Sequence, residues 1–255
     1  MAVDEAILEA AGRGDSPPTL RLYAWAPPCL SLGYAQPYGD VDLEQLEGHG
    51  WQVVRRPTGG RAILHTDELT YAVIGPNDEP RLVGGVLESY QRLSQALLVA
   101  LQSLNLPVQA RQLGSKSPAN KAPNPVCFEI PSSYEITVAG KKLIGSAQAR
   151  RKDGVLQHGS LPLHGDLRRI TQALAYPDQA THQQAAARLI ERATTVEEIL
   201  GEQISWEQAA EAFIEAFSGT LKLDLTPGAL TDAERARAQQ LVEEKYAHPS
   251  WTERV

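Results

Sequence analysis

The sequence predicts an α+β fold: one domain, sheet-rich in its middle and closed by helices toward its C-terminus. Three observations carry this. Short apolar or alternating runs bounded by turn residues recur through 19–75 and 134–163, the pattern of strands and hairpins. One long stripe of helical spacing interrupts them between Val83 and Leu104. Beyond Gly165 the periodicity is helical to the end of the chain. Internal repeats and low-complexity linkers are absent from the sequence, so a single domain is expected over 1–221 with a helical extension, 222–255, packed on it.

Residues 1–11 read as a short amphipathic helix with Ile7, Leu8 and Ala11 on one side, ended by Gly12 and Gly14. The "RGD" within "GRGDS" is read as chance. "TLRLYAWAP" alternates Leu20, Leu22 and Ala24 against Arg21, Tyr23 and Trp25, a half-buried strand. Asp40 is placed to cap a brief helix through Leu46. "WQVVRRPTGG" is a strand entering a glycine turn, and "RAILHTDELTYAVIG" supplies more strand. Leu87, Tyr90, Leu93, Leu97, Leu101 and Leu104 mark the buried stripe of the 83–104 helix. Residues 111–125 hold three prolines and three basic residues without periodicity, a loop long enough to suspect function. "YEITVAGKK" reads as a hairpin, and Lys152-Asp153-Gly154 turns "LIGSAQARR" back into "VLQHGSLPL". Asp166, Thr194, Ser205 and Thr231 stand where helix N-caps would, and Trp206, Phe213 and Phe217 mark the buried side of the 205–221 helix.

Bulk composition narrows the function classes. Of 255 residues, 42% are hydrophobic and 22% charged, which suits a globular domain. The net charge of -7 argues against nucleic acid as a partner. No apolar run approaches the roughly 20 residues of a membrane span, and "MAVDEAILEA" has no basic signal region. Only Cys29 and Cys127 occur, so a disulfide framework is not expected and a reducing cytoplasm fits.

Cys29 lies in the strand-like "CLSLGY" and reads as a small core residue. Cys127 stands between Pro125 and Pro131, which stiffen the backbone and interrupt any regular ladder. The residues alone leave it open between core filler and nucleophile. A nearby ammonium would enlarge its thiolate fraction, and Lys142 is a candidate; Lys141 and Lys142 point to opposite faces of a strand, so one of them at most faces a site. In "RRPTGGRAILH", Gly59-Gly60 is either a plain turn or a place where a ligand nears the backbone, and Arg55, Arg56 and Arg61 add charge that suits a phosphate. It is neither a Walker loop nor a GxGxxG fingerprint. His65 and His158 have no Cys or carboxylate at metal-ligand spacing, so no metal is expected.

"RRPTGGRAILHTDELTYAV", "VCFEIPSSYEITVAGKKLIGSAQ" and "VLQHGSLPL" together resemble the lipoate-protein ligase and octanoyltransferase group, within it most closely the LipM-type octanoyltransferases. The resemblance extends through "LTDAERARAQQLVEEKYAHPSW". It implies the biotin/lipoate-protein ligase fold, a mixed β-sheet flanked by helices, and transfer of an octanoyl group in lipoate biosynthesis. The donor would be the octanoyl-phosphopantetheine of acyl carrier protein. The acceptor would be a lysine of a lipoyl-domain protein, such as glycine-cleavage H protein or a 2-oxoacid dehydrogenase E2 subunit. No cofactor and no ATP are expected, and the enzyme is expected to be a cytoplasmic monomer. By the same resemblance, Cys127 forms the acyl thioester and Lys142 lowers its pKa. Arg56, Thr58, Gly59, Gly60, His65, Gly145, Ser146, Ala147, Gln148, His158 and Gly159 would border the substrate. Burying about six methylenes at ~0.8 kcal/mol each gives roughly 5 kcal/mol, so an apolar slot beside the glycine turn is expected. Both protein partners are acidic in such systems, which suggests guidance by Arg55, Arg56, Arg61, Lys116 and Lys121. Members of the group usually carry a strand ahead of the "MAVDEAIL" helix, so either a start upstream of Met1 or a missing edge strand is expected. The rival readings are an ATP-dependent lipoate ligase, an amidotransferase between lipoyl proteins, and an idle module that docks carrier proteins.

Overall fold

The computed structural model describes residues 1–112 and 134–255, apart from the side chains of 110–112 and 134. The strands are β1 (Thr19–Tyr23), β2 (Cys29–Leu32), β3 (Gln52–Arg55), β4 (Ile63–His65), β5 (Glu68–Gly75), β6 (Gln109–Gln112), β7 (Tyr134–Val138), β8 (Lys141–Arg151) and β9 (Gly154–Pro162). The helices are α1 (Ala2–Arg13), α2 (Leu43–Gly48), α3 (Val86–Ser103), α4 (Arg169–Gln172), α5 (Gln179–Arg192), α6 (Val196–Leu200), α7 (Trp206–Leu221), α8 (Asp232–Leu241) and α9 (Pro249–Thr252).

Two sheets result. The larger, in order β1-β5-β9-β8-β7-β6, is antiparallel throughout, and the smaller, β3-β2-β4, joins a parallel pair to an antiparallel one. Mixed pairing is therefore confined to the small sheet. Long antiparallel strands follow from tight turns: Ala139-Gly140, both at positive φ, link β7 to β8, and Gly154 (φ 144°) begins β9.

Each face of the large sheet has its own cover. Tyr71 and Leu69 face α3 and α7, where Leu93, Leu97, Leu101, Phe213 and Phe217 are fully or almost fully buried. Each such side chain contributes ~1.5–3 kcal/mol relative to exposure. On the opposite face, Ile7 and Leu8 of α1 pack on Ala72, Ile74 and Leu156. Helix α8 then packs on α1 through Ala238 and Leu241 against Ala2 and Ala6. The small sheet, α2, α4 and α5 share a separate core around Leu30, Leu32, Leu46, Ile170 and Leu189. No helix among the described residues is long and apolar enough to cross a membrane.

Several local expectations are corrected. Only Gly14 ends α1, in the left-handed conformation (φ 79°); Gly12 lies inside the helix, where a Cβ would stand 2.0 Å from the Asp153 carbonyl oxygen. The cap of α2 is Asp42, whose side chain accepts from the Gln45 amide at 3.0 Å, while Asp40 belongs to a preceding turn. Thr195 rather than Thr194 caps α6, and Asp166 orders the turn before α4 by accepting from the Arg168 amide. Ser205 and Thr231 do cap α7 and α8. Leu87 is exposed in the first turn of α3, which starts at Val86 and buries Ser89 instead. Arg111 and Gln112, expected in a loop, end β6, and 113–125 lie outside the described residues.

Candidate active site

The two sheets meet at a narrow apolar cleft. Thr70 and Gly145 both pair with Ser160, and Ala72 and Ala147 both pair with His158, so one face of the large sheet presents Thr70, Gly145, Ala147, His158 and Ser160 together. Arg56, Ile63 and His65 of the small-sheet region close the cleft from the other side, and Trp25 stacks on His65 with ring centroids 4.2 Å apart. Small residues on β8 leave the space that larger side chains would fill.

A buried polar chain backs this cleft. Arg56 Nη1 donates to the Ser31 carbonyl (2.6 Å) and to Ser31 Oγ (2.7 Å). Ser31 Oγ lies 2.6 Å from His65 Nε2, and His65 Nδ1 contacts Glu68, which also accepts from Thr70 and Ser160. Arg56 already donates to the Ser31 oxygen. The Ser31 hydroxyl has two acceptors for its proton, His65 Nε2 and the Ile63 carbonyl at 3.5 Å. His65, which has no carboxylate at metal-ligand spacing in the sequence, gains one as a hydrogen-bond partner from Glu68 at the start of the next strand.

The glycine turn is pinned by neighbours. Arg56 Nη2 donates to the carbonyls of Arg61 (2.8 Å) and Gly59 (3.3 Å), and Thr58 Oγ1 lies 2.6 Å from His158 Nε2. Burial, reinforced by the Arg56 charge, pushes the His158 imidazole down to about 3, so it is neutral at pH 7. Gly60 has φ 95°, which favours glycine, and its carbonyl abuts Gly33. Gly59 is different: a Cβ there would meet nothing within 4 Å among the described residues. Gly159 has a packing reason, since a Cβ would lie 2.5 Å from the Tyr71 ring and 2.6 Å from Ser146 Oγ.

The expected site residues divide accordingly. Arg56, His65, Gly145, Ser146, Ala147, His158 and Gly159 line the cleft; Gly59 and Gly60 line a groove next to it, and Thr58 ties this turn to the cleft through His158. Ser146 Oγ and the Gln148 amide turn to the other face of β8, where Ser146 meets Tyr71 OH at 2.7 Å and Gln148 binds Gln157 and Ser89. Lys142 is buried, with Nζ 3.4 Å from Glu135 Oε1, whereas Lys141 is partly exposed and bonds Glu198 at 2.9 Å. Cys127, Lys116 and Lys121 lie outside the described residues. Burial pushes the Cys29 thiol up to about 12, which fits its reading as a core residue.

One expectation fails. Arg55 and Arg56 are buried and do not form an exposed basic edge that guides partners. The Arg55 guanidinium is spent on carbonyls of Gly33, Gln36 and Thr252, at 2.6–3.0 Å, joining α9 to the small sheet. No group of acidic, His or Cys side chains suited to a metal ion occurs among the described residues. Trp25, Ser31, Glu68, Thr70, Ser160 and Glu135 were missed. Only Glu68 left a sequence signal, three residues after His65.

The chain is thus an α+β domain of two sheets, with an apolar cleft between them and a buried lysine, Lys142, on the strand that lines it. The chain belongs to the lipoyl protein ligase A/B catalytic domain family, whose model matches residues 1–218. It is 43% identical over 258 residues to octanoyltransferase LipM of Symbiobacterium thermophilum, covering 100% of this chain and 93% of that one. It is 42% identical over 257 residues to octanoyltransferase LipM of Moorella thermoacetica, with the same coverages. Among solved structures it resembles a bipartite lipoate protein ligase from Thermoplasma acidophilum, studied with its E2 lipoyl domain. There the identity is 27% and the TM-score 0.79, covering 99% of this chain and 89% of that one.

Proposed function

We propose that this protein is an octanoyltransferase of lipoate biosynthesis that moves an octanoyl group from acyl carrier protein to a lysine of a lipoyl-domain protein. The observation that carries this reading is whole-length identity above 40% to octanoyltransferases, against 27% to the solved ligase. The Cys127 thiolate, favoured by the Lys142 ammonium, attacks the octanoyl thioester carbonyl. A new carbon–sulfur bond forms, the old one breaks, and the carrier's thiolate leaves and takes a proton. The acceptor lysine, as free amine, then attacks the acyl-cysteine; an amide forms, the Cys127 thiolate departs, and the amine proton is lost to solvent. Thioester exchange is near thermoneutral and the amide is more stable, so the sequence needs no ATP. The apolar lining of the cleft suits the octanoyl tail, and backbone amides near Gly59-Gly60 or Gly145-Ser146 would hold the developing oxyanion.

The test is to incubate the protein with octanoyl-acyl carrier protein, without ATP, and record an intact mass. A thioester-labile octanoyl adduct that disappears in Cys127→Ala is expected. No adduct, or one that persists in that variant, refutes the reading. A requirement for ATP and free acid would establish the ligase instead.

A further inference from the structure

Beside the cleft lies an open groove, bordered by Tyr34, Gln36, the Gly59-Gly60 turn, Arg61 and Arg151. It is continuous with the cleft along two chain segments. On β8, residues 145–147 line the cleft and 148–151 the groove; at the turn, Arg56 lines the cleft and 57, 59, 60 and 61 the groove.

The lining includes three arginines and no carboxylate; Asp40, held by the Gln36 amide at 3.0 Å, is not part of it. Arg150 turns its guanidinium away, to the Leu82 carbonyl and Ser89. Arg61 and Arg151 have no carboxylate partner among the described residues, nor does Arg254, whose guanidinium lies 4.1 Å above the Tyr34 ring and donates to its hydroxyl at 3.0 Å. By contrast Arg21, Arg169 and Arg237 are each ion-paired. On a chain of net charge -7, three arginines left without carboxylates around one groove constitute a surface for an anionic partner.

We propose that this groove docks the donor, an acidic carrier protein whose phosphodiester-bearing arm lies along β8, with Arg61, Arg151 and Arg254 meeting its negative charge. The proposal rests on the octanoyltransferase reading. With the acyl tail in the cleft, the thioester falls at the junction beside Gly59-Gly60 and the rest of the arm must leave through the groove. Residues 147–151 of an extended strand span ~13 Å, room for much of such an arm. Gly59, where a Cβ would meet no atom of the described residues within 4 Å, lets that arm approach the backbone.

The experiment uses the variant Arg61→Glu/Arg151→Glu and two octanoyl donors: octanoyl-acyl carrier protein, and octanoyl-N-acetylcysteamine, a neutral thioester with neither phosphate nor protein. Acyl-enzyme formation is followed by mass. At low salt the variant should lose roughly tenfold or more in its second-order rate with the carrier, and nothing with the neutral thioester. Added salt should slow the wild type more than the variant. An unchanged carrier rate, or equal loss with both donors, overturns the proposal. So does a loss confined to transfer from acylated enzyme to a lipoyl domain, which would give the groove to the acceptor. Wild-type protein that acylates with neither donor sinks the octanoyltransferase reading itself, and the docking proposal with it.

Discussion

Lys142 Nζ stands 3.4 Å from Glu135 Oε1, with the two side chains 6% and 12% exposed. The pairing follows from register: Thr137 lies opposite Lys142, and Glu135 shares Thr137's face of β7. A buried ammonium is costly without a compensating carboxylate. Glu135→Gln should therefore destabilise the protein by about 1–3 kcal/mol. Combined with Lys142→Met it should cost less than the sum of the single changes. Urea unfolding of the four proteins in a double-mutant cycle measures this, and strict additivity would show that the pair contributes nothing.

Alkylation distinguishes the two cysteines. Iodoacetamide should modify native protein at Cys127 and spare Cys29, whose buried thiol is pushed up to about 12. Lys142→Met should move the alkylation profile of Cys127 to higher pH and slow its acylation. Peptide mass mapping across a pH series reads both effects. Labelling of Cys29, or an unshifted profile, would contradict the assignments.

His158 gives the fold an acid limit. Its folded pKa, about 3, lies below the ordinary histidine value of 6.5, so the unfolded chain binds the proton first as pH falls. The stability it contributes is complete above pH ~6.5 and is lost toward pH ~3, at up to about 1.4 kcal/mol per pH unit. Urea midpoints at pH 7, 5.5 and 4.5 should decline more steeply for the wild type than for His158→Gln. Parallel declines would remove this histidine from the account.

The two turn glycines should respond differently to alanine. At Gly60 (φ 95°) the backbone opposes a side chain, so Gly60→Ala should destabilise by about 1 kcal/mol or more. Gly59→Ala meets no atom of the described residues within 4 Å and should leave stability within about 0.5 kcal/mol, yet slow acylation from the carrier. Thermal melts and acylation rates on the same two proteins separate these effects; a Gly59→Ala enzyme of full rate would remove the turn from the substrate's path.

How much of this was legible beforehand varies by residue. The hairpin at Ala139-Gly140, the caps Ser205 and Thr231, and the opposite facing of Lys141 and Lys142 follow from turn chemistry and strand alternation, which are local properties; that Lys142 is the inward one was implied only by the family resemblance. Asp40 and Asp42 could not be told apart, because both precede an apolar residue at cap-like spacing and only packing against Ala173 chose the helix start. Arg55 and Arg61 look alike in "RRPTGGR"; nothing local says that one is buried among carbonyls and the other borders a groove.

By itself, then, the sequence determined the α+β class, the order of strands and helices, and the motifs that the family shares, since periodicity, turns and caps act over a few residues. The tertiary structure decided which distant groups meet: Ser31 with His65 and Glu68, Thr58 with His158, Glu135 with Lys142, and Arg254 with Tyr34. It also decided which charges are buried. Those outcomes depend on how two sheets stack and in which register their strands pair, and a shift of one residue would turn every side chain on a strand to the opposite face.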